Sequence, residues 1–442
     1  MIEVRCIGMR IQGLLARLFA ICLLLAPCAT ALVGQPELES WHLNTDNATG
    51  QAWVGNTLVS SDVPCDIQLV QFSEDNVYVE ATGIPRYATS PFPSGNPSVA
   101  SEQDYLFRIP RTPVVNSGAP TETGLGYIGV LVNGVPLFNA SDAMSYNNGG
   151  VWFQNAVYFE NNNFDCARGH PAGGAYHHHQ LPMRFDSATE VSSDVCQDHP
   201  SDALYTLNTA EHSPLIGWAF DGYPVYGPFA YSTADGSGGV ERIETSYQLR
   251  DITVRTTLPN GTTLSPFQYG PAVGAWVTPA IPPGASPVQA VLGAYMQDYA
   301  YVEGSGHLDE FNGRFAVTPE FPEGTYAYYA TVDAEFNSAY PYFFPSYRGV
   351  VATDNFPTPG PGGGLGTTSV VITEPVETYV PADPCASQLG DLNGDQLVGV
   401  MDVLLMLGEF GCTQSCTHDL NGDGSVTVTD MLILLGAFGQ AC

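Results

Sequence analysis

From Asp391 to the C-terminus the chain makes the same statement twice. DLNGDQLVGVMDVLLMLGEFG begins at Asp391 and returns as DLNGDGSVTVTDMLILLGAFG at Asp419, an offset of 28 residues (419 − 391). Both copies must therefore solve the same local folding problem. Each opens with Asp, Asn and Asp at loop positions 1, 3 and 5, and each places Asp at position 12 before an apolar run. Oxygen ligands in that order are those of an EF-hand-type loop, which wraps the hard cation calcium and feeds a helix. In the second copy the expected ligands are Asp419, Asn421 and Asp423 by side chain, the Ser425 carbonyl, Thr427 directly or through water, and Asp430. Gly424 stands at position 6, where the loop turns sharply. In the first copy they are Asp391, Asn393, Asp395, the Leu397 carbonyl and Asp402. Gln396 at position 6 and Gly399 at position 9 make this copy the weaker site. Helices are predicted over residues 401–410 and 430–438, with Asp402 and Asp430 at their positively polarised N-termini.

The rest of the chain speaks a different language. Residues 32–355 alternate short apolar and polar runs, as in Ile67–Phe72. Asn-Gly at Asn133, Asn260 and Asn312 and Asp-Gly at Asp221 and Asp235 punctuate them. Period-two runs broken by these dipeptides predict hairpins and a loop-rich, sandwich-like β body. The rings of Tyr326, Tyr328, Tyr329 and residues 340–345 are expected in its core rather than on a sugar-stacking platform. Residues 356–384 read as a Pro/Gly-rich linker, although 369–380 is apolar enough for a strand. Residues 385–442 form the repeat module.

Composition removes several functions. Against 45 acidic residues stand 13 basic ones, all Arg, for a net charge of −32. Without Lys there is no Schiff-base lysine and no P-loop lysine, and the charge argues against nucleic acid as a partner. At the N-terminus Arg5, Arg10 and Arg17 precede an apolar stretch and Ala29-Thr30-Ala31. This predicts a signal peptide over residues 1–31, cleavage near Ala31 and export, with no other run long enough to span a membrane. Export permits disulfides. Seven cysteines follow the cleavage site, four of them around the repeats, and Cys166 with Cys196 is the expected pair in the body.

The body's chemical focus is Gly169-His-Pro-Ala-Gly-Gly-Ala-Tyr-His-His-His-Gln, with four of the nine histidines between His170 and His179. On a strand, His177 and His179 share one face and His178 takes the other. A turn at Gly173-Gly174 would bring His170 to them. His212 and Asp221 open a second segment and complete the candidate set. Imidazole with carboxylate suits zinc, copper or iron. Hydrogen bonding within a polar, aromatic-rich fold is the alternative role for these histidines. Asp298, Asp309 and Glu310 offer carboxylates of the kind a glycosidase pairs, with Arg314 as a partner for Asp309 or for an anionic substrate, but in so acidic a chain such groups are usually solvated surface.

Two resemblances follow from these residues. The tandem repeat is similar to a type I dockerin, a calcium-folded module that plugs secreted proteins into cohesin-bearing scaffolds. Val400-Met401 and Val428-Thr429 stand where that family often has Ser-Thr. The body resembles the YHYH-domain family through Asn133-Gly-Val-Pro-Leu-Phe-Asn, Phe164-Asp-Cys-Ala-Arg-Gly-His-Pro, Tyr176-His-His-His, His212-Ser-Pro-Leu-Ile-Gly, Phe220-Asp-Gly-Tyr-Pro-Val-Tyr-Gly-Pro and Leu308-Asp-Glu-Phe-Asn-Gly-Arg-Phe. The motif's second Tyr is His178 here. This resemblance implies a site and names no reaction. The resulting expectation is an exported modular protein. It has a histidine-rich metal site, two calcium sites (Ca2+), a cohesin-like partner and an extracellular glycan as a further partner. The alternatives are a non-catalytic binding or structural module, or an accessory protein or hydrolase of polysaccharide catabolism.

Overall fold

A computed structural model of the chain describes residues 34–55, 57–92, 99–182, 208–279, 286–357, 366–381, 390–394, 397–413, 416–421 and 424–438. The body is mainly β and loop-rich. Its central sheet has six strands in the order Gly313–Ala316, Thr325–Tyr329, Pro224–Tyr226, Leu215–Ala219, Tyr127–Leu131 and Pro136–Phe138. All neighbours are antiparallel except Pro224–Tyr226 with Thr325–Tyr329. A second sheet of four strands runs Glu377–Thr378, Ile67–Phe72, Asn76–Ala81 and Tyr105–Pro110.

The turn dipeptides do what their φ preferences dictate. Asn133-Gly134 joins Tyr127–Leu131 to Pro136–Phe138, and Asp221-Gly222 joins Leu215–Ala219 to Pro224–Tyr226. Gly134 and Gly222 sit at φ +81° and +87°, which side-chain-bearing residues rarely adopt. Asn312-Gly313 differs from the hairpin expectation. Its turn is closed by the Asp309 N–H to Gly313 carbonyl bond and only leads the chain into an edge strand.

One core joins the sheets. In Tyr105–Pro110 the alternate residues Tyr105, Phe107 and Ile109 are buried, so this sheet turns one face inward. Phe107 meets Tyr127 of the central sheet at 6.0 Å and Phe220 at 5.7 Å. Burying a side chain of this size contributes about 1.5–3 kcal/mol. Tyr328, Tyr329, Phe343 and Phe344 are buried in the same core, as expected for rings that pack rather than bind.

The second half of the 356–384 segment lies on the body. Glu377 and Thr378 pair with Phe72 and Gln71. The Glu374 carboxylate accepts from Ser73 Oγ at 2.8 Å, Asn76 Nδ2 at 2.9 Å and Tyr78 OH at 2.7 Å. The apolar 369–380 stretch thus behaves as returning chain rather than as spacer.

The repeat module carries helices Val400–Glu409 and Val428–Gly436, starting one or two residues before the sequence reading. Equivalent residues of the two copies build its core: Val398 with Val426, and Met406 with Leu434. Each position-12 carboxylate ties its loop together. Asp402 accepts from the backbone N–H groups of Leu392, Asn393 and Gly399. Asp430 accepts from those of Leu420, Asn421 and Thr427. Asp395, Asp423, Cys385 and Cys442 lie outside the described residues, and Cys412 is bonded to Cys416.

Candidate metal centre

The centre is built on a hairpin of two three-residue strands. His170–Ala172 and Ala175–His177 pair in the register His170↔His177, Pro171↔Tyr176 and Ala172↔Ala175. Gly173 and Gly174 form the turn at φ +62° and +97°, as a tight two-residue hairpin turn requires. Beyond the hairpin the chain docks on the edge of the central sheet. The Phe138 N–H donates to the His178 carbonyl at 2.9 Å, and the His178 N–H to the Pro136 carbonyl at 3.2 Å. The strand alternation therefore continues through His179, so His177 and His179 fall on one side and His178 on the other.

Asp165 sets the approach to His170. It accepts from the N–H groups of Ser90, Ala167 and Gly169 and from the Tyr176 hydroxyl at 2.8–3.1 Å. Gly169 is required here, because a Cβ would lie 2.3 Å from the Tyr176 hydroxyl.

His170, His177 and His179 converge, with one ligand nitrogen of each lying within 4.8 Å of the others. All three are buried, at 4%, 2% and 3% exposure. Phe138 stacks on His177 at 3.8 Å, and Phe164 lies 4.8 Å from His170. The ring nitrogens away from the centre are committed. His177 Nδ1 lies 2.9 Å from the Ala175 carbonyl, and His179 Nδ1 lies 2.6 Å from the Asn139 carbonyl. A carbonyl only accepts, so both Nδ1 atoms carry the proton, an assignment read from the hydrogen-bond network. Each Nε2 is then a bare lone pair, and the two stand 3.2 Å apart. Among the described residues neither nitrogen of His170 has a hydrogen-bond partner. Burial pushes His170 and His177 well below the usual imidazole range and His179 down to about 4, which keeps all three in the neutral, ligating form.

A carboxylate that the sequence reading missed stands beside two of the three histidines. Glu160 Oε2 lies 3.5 Å from His179 Nε2 and 3.7 Å from His170 Nε2, and among the described residues it has no hydrogen-bond partner. Burial, with Asp142 adding to it, holds Glu160 well above the usual carboxylate range. Glu160 closes the short helix Ala156–Phe159, whose N-cap Asn155 accepts from the Val157 N–H. Glu160 is the only acid between Asp142 and Asp165, and this isolation in an amide- and aromatic-rich stretch was the available signal.

Several other candidates are elsewhere. His212 precedes Leu215–Ala219, and two strands separate that element from the histidine hairpin. Its ring packs 5.1 Å from both Tyr226 and Tyr231. Asp221 is buried in its turn and accepts from Tyr328 OH at 2.6 Å and the Gly349 N–H at 2.8 Å. Asp298 holds Arg255 through two bonds of 2.7 Å. Asp309 accepts from Tyr326 and lies 3.7 Å from Arg348, while Arg314 bonds the Tyr231 carbonyl instead. These carboxylates have structural partners, which removes the motive for reading them as a hydrolytic pair. His178 is bound to Tyr87 OH at 2.6 Å, away from the triad. Cys166 is disulfide-bonded, and its expected partner Cys196 lies outside the described residues. Cys65 is a buried free thiol.

A β body with a histidine pair on a strand and a third histidine across the hairpin is the class of protein this site defines. The chain belongs to the YHYH protein family, which matches residues 106–340. That span holds the whole histidine centre, Glu160 included, and excludes the repeat module. No curated protein and no solved structure matches the chain.

Proposed function

We propose that the body binds one transition metal ion on His170, His177 and His179 with Glu160 as fourth ligand. We further propose that it does so in an exported protein whose tail folds around two calcium ions. The carrying observation is the 3.2 Å approach of two proton-free Nε2 atoms in a buried site. Neutral lone pairs that close repel unless a cation lies on both, and burial disfavours a proton as that cation. Three imidazoles and one carboxylate suit zinc first and copper second. A bound ion would supply Lewis acidity, and the chain's part is to hold the imidazoles neutral and fixed through the Ala175 and Asn139 carbonyls.

A non-catalytic role is the second reading, and the burial of all three histidines favours it, since closed sites are typical of structural metals. Calcium in the tail is supported by the ligand order of both loops. The dockerin likeness suggests a cohesin-like partner, while polysaccharide catabolism rests only on the company dockerins keep. Export rests on the N-terminal pattern, and residues 1–33 lie outside the described residues.

Thermal unfolding tests the metal reading. Full-length protein stripped with chelator and returned to excess calcium is expected to melt higher when zinc or copper is added. The gain approaches ~2.7 kcal/mol at a hundredfold excess over Kd. An equal gain in the His177→Ala/His179→Ala variant would contradict it.

A further inference from the structure

The segment that delivers Glu160 also borders a second site. Ser141–Ser145 pairs with Phe153–Asn155, and the turn between them lines a cleft of about 470 Å³ together with Trp276, Val277, Thr278 and Tyr295. That volume is in the range of small-ligand sites, roughly 300–1,000 Å³.

Three properties narrow what it can hold. The first is an aromatic wall on a rigid base. Trp276 is 68% exposed, yet its backbone is fixed by pairing with Gln289. Tyr146 meets Tyr295 at 6.3 Å, and the Arg255 guanidinium, locked by Asp298, backs the Tyr295 ring at 4.8 Å. The second is unused hydrogen-bonding capacity. Asn147, Asn148 and Gln154 line the cleft, and their side chains make no hydrogen bond to another described residue. The Tyr295 hydroxyl is buried without a hydrogen-bond partner among the described residues. The third is neutrality. Among the described residues no charged side chain lines the cleft, in a chain of net charge −32.

Among the described lining residues a cation would find no carboxylate, and an anion no arginine. A purely apolar ligand would strand the amides without partners, which is costly. What remains is a neutral molecule with many hydroxyls and an apolar face. We propose that this cleft is a saccharide subsite. A neutral sugar ring stacks on the Trp276 indole, and its hydroxyls bond Asn147, Asn148 and Gln154. This site is separate from the histidine centre and does not depend on the metal reading.

Titration of full-length protein with cellohexaose, xylohexaose, mannohexaose and chitohexaose, followed by calorimetry, tests the proposal, with polygalacturonate as the anionic comparison. Saturable binding of at least one neutral hexasaccharide is expected. Trp276→Ala, at an exposed position that the fold does not need filled, should weaken it at least tenfold. The His177→Ala/His179→Ala variant should bind as the wild type does. Absence of binding across the neutral panel, preference for polygalacturonate, or full binding by Trp276→Ala would each overturn it.

Discussion

His177 and His179 show how a single hydrogen bond assigns a role. Each spends its Nδ1 proton on a backbone carbonyl, and that choice leaves its Nε2 facing the other's. The strand alternation that put them on one face was legible from Tyr176-His-His-His, and the Gly173-Gly174 turn that returns His170 was legible from its glycines. Glu160 was not, because 45 acidic residues dilute any one of them and its approach depends on the Ala156–Phe159 helix. Asp221 misled in the other direction, since an Asp-Gly turn inside a recognisable motif looks functional. Its carboxyl is instead a buried acceptor, and burial raises it from 3.8 to about 6. An acid raised in the fold contributes stability fully below about 3.8 and loses it as pH rises through about 6. Relative to Asp221→Asn, the wild type should therefore lose roughly 2 kcal/mol between pH 4 and pH 7. Paired denaturation curves at those two pH values measure it, and a gap that stays constant or widens with pH would refute it.

At the scale of elements, the hairpins and the repeat helices were readable because short-range chemistry specifies them. The parallel pairing of Pro224–Tyr226 with Thr325–Tyr329 was not, because about a hundred residues separate the partners and no local signal records the match. The docking of Glu377–Thr378 on Phe72 was likewise half-readable: the apolar run was visible, its destination was not. In the tail, Val398, Met406, Val426 and Leu434 form a small core, and Asp402 and Asp430 tie the loops to the helix starts. So small a core is expected to depend on the calcium proposed for the two loops. Chelation should abolish the helical circular-dichroism signal of the tail and leave the body's near-ultraviolet signal intact. A helical signal that survives chelation unchanged would contradict calcium-dependent folding.

At the scale of the whole molecule, the composition and the architecture agree. The chain is acidic and lysine-free, and among the described residues no helix is long and apolar enough to cross a membrane; the proposed export rests on the N-terminal pattern alone. The exported form should begin at Leu32, as mass spectrometry of its N-terminal peptide would show; an intact residue 1–31 segment would count against export by this route. The body's two sheets place the histidine hairpin at the edge of the central sheet, where His178 pairs with Leu137 and the triad closes on Glu160. The metal proposed for this buried cluster can be counted. Elemental analysis of full-length, tag-free protein purified without chelator tests it most directly. The account predicts about one zinc or copper per chain alongside calcium, with the transition metal lost and the calcium kept in His177→Ala/His179→Ala. A wild-type protein with no transition metal above background, or a variant that keeps its full complement, would contradict it.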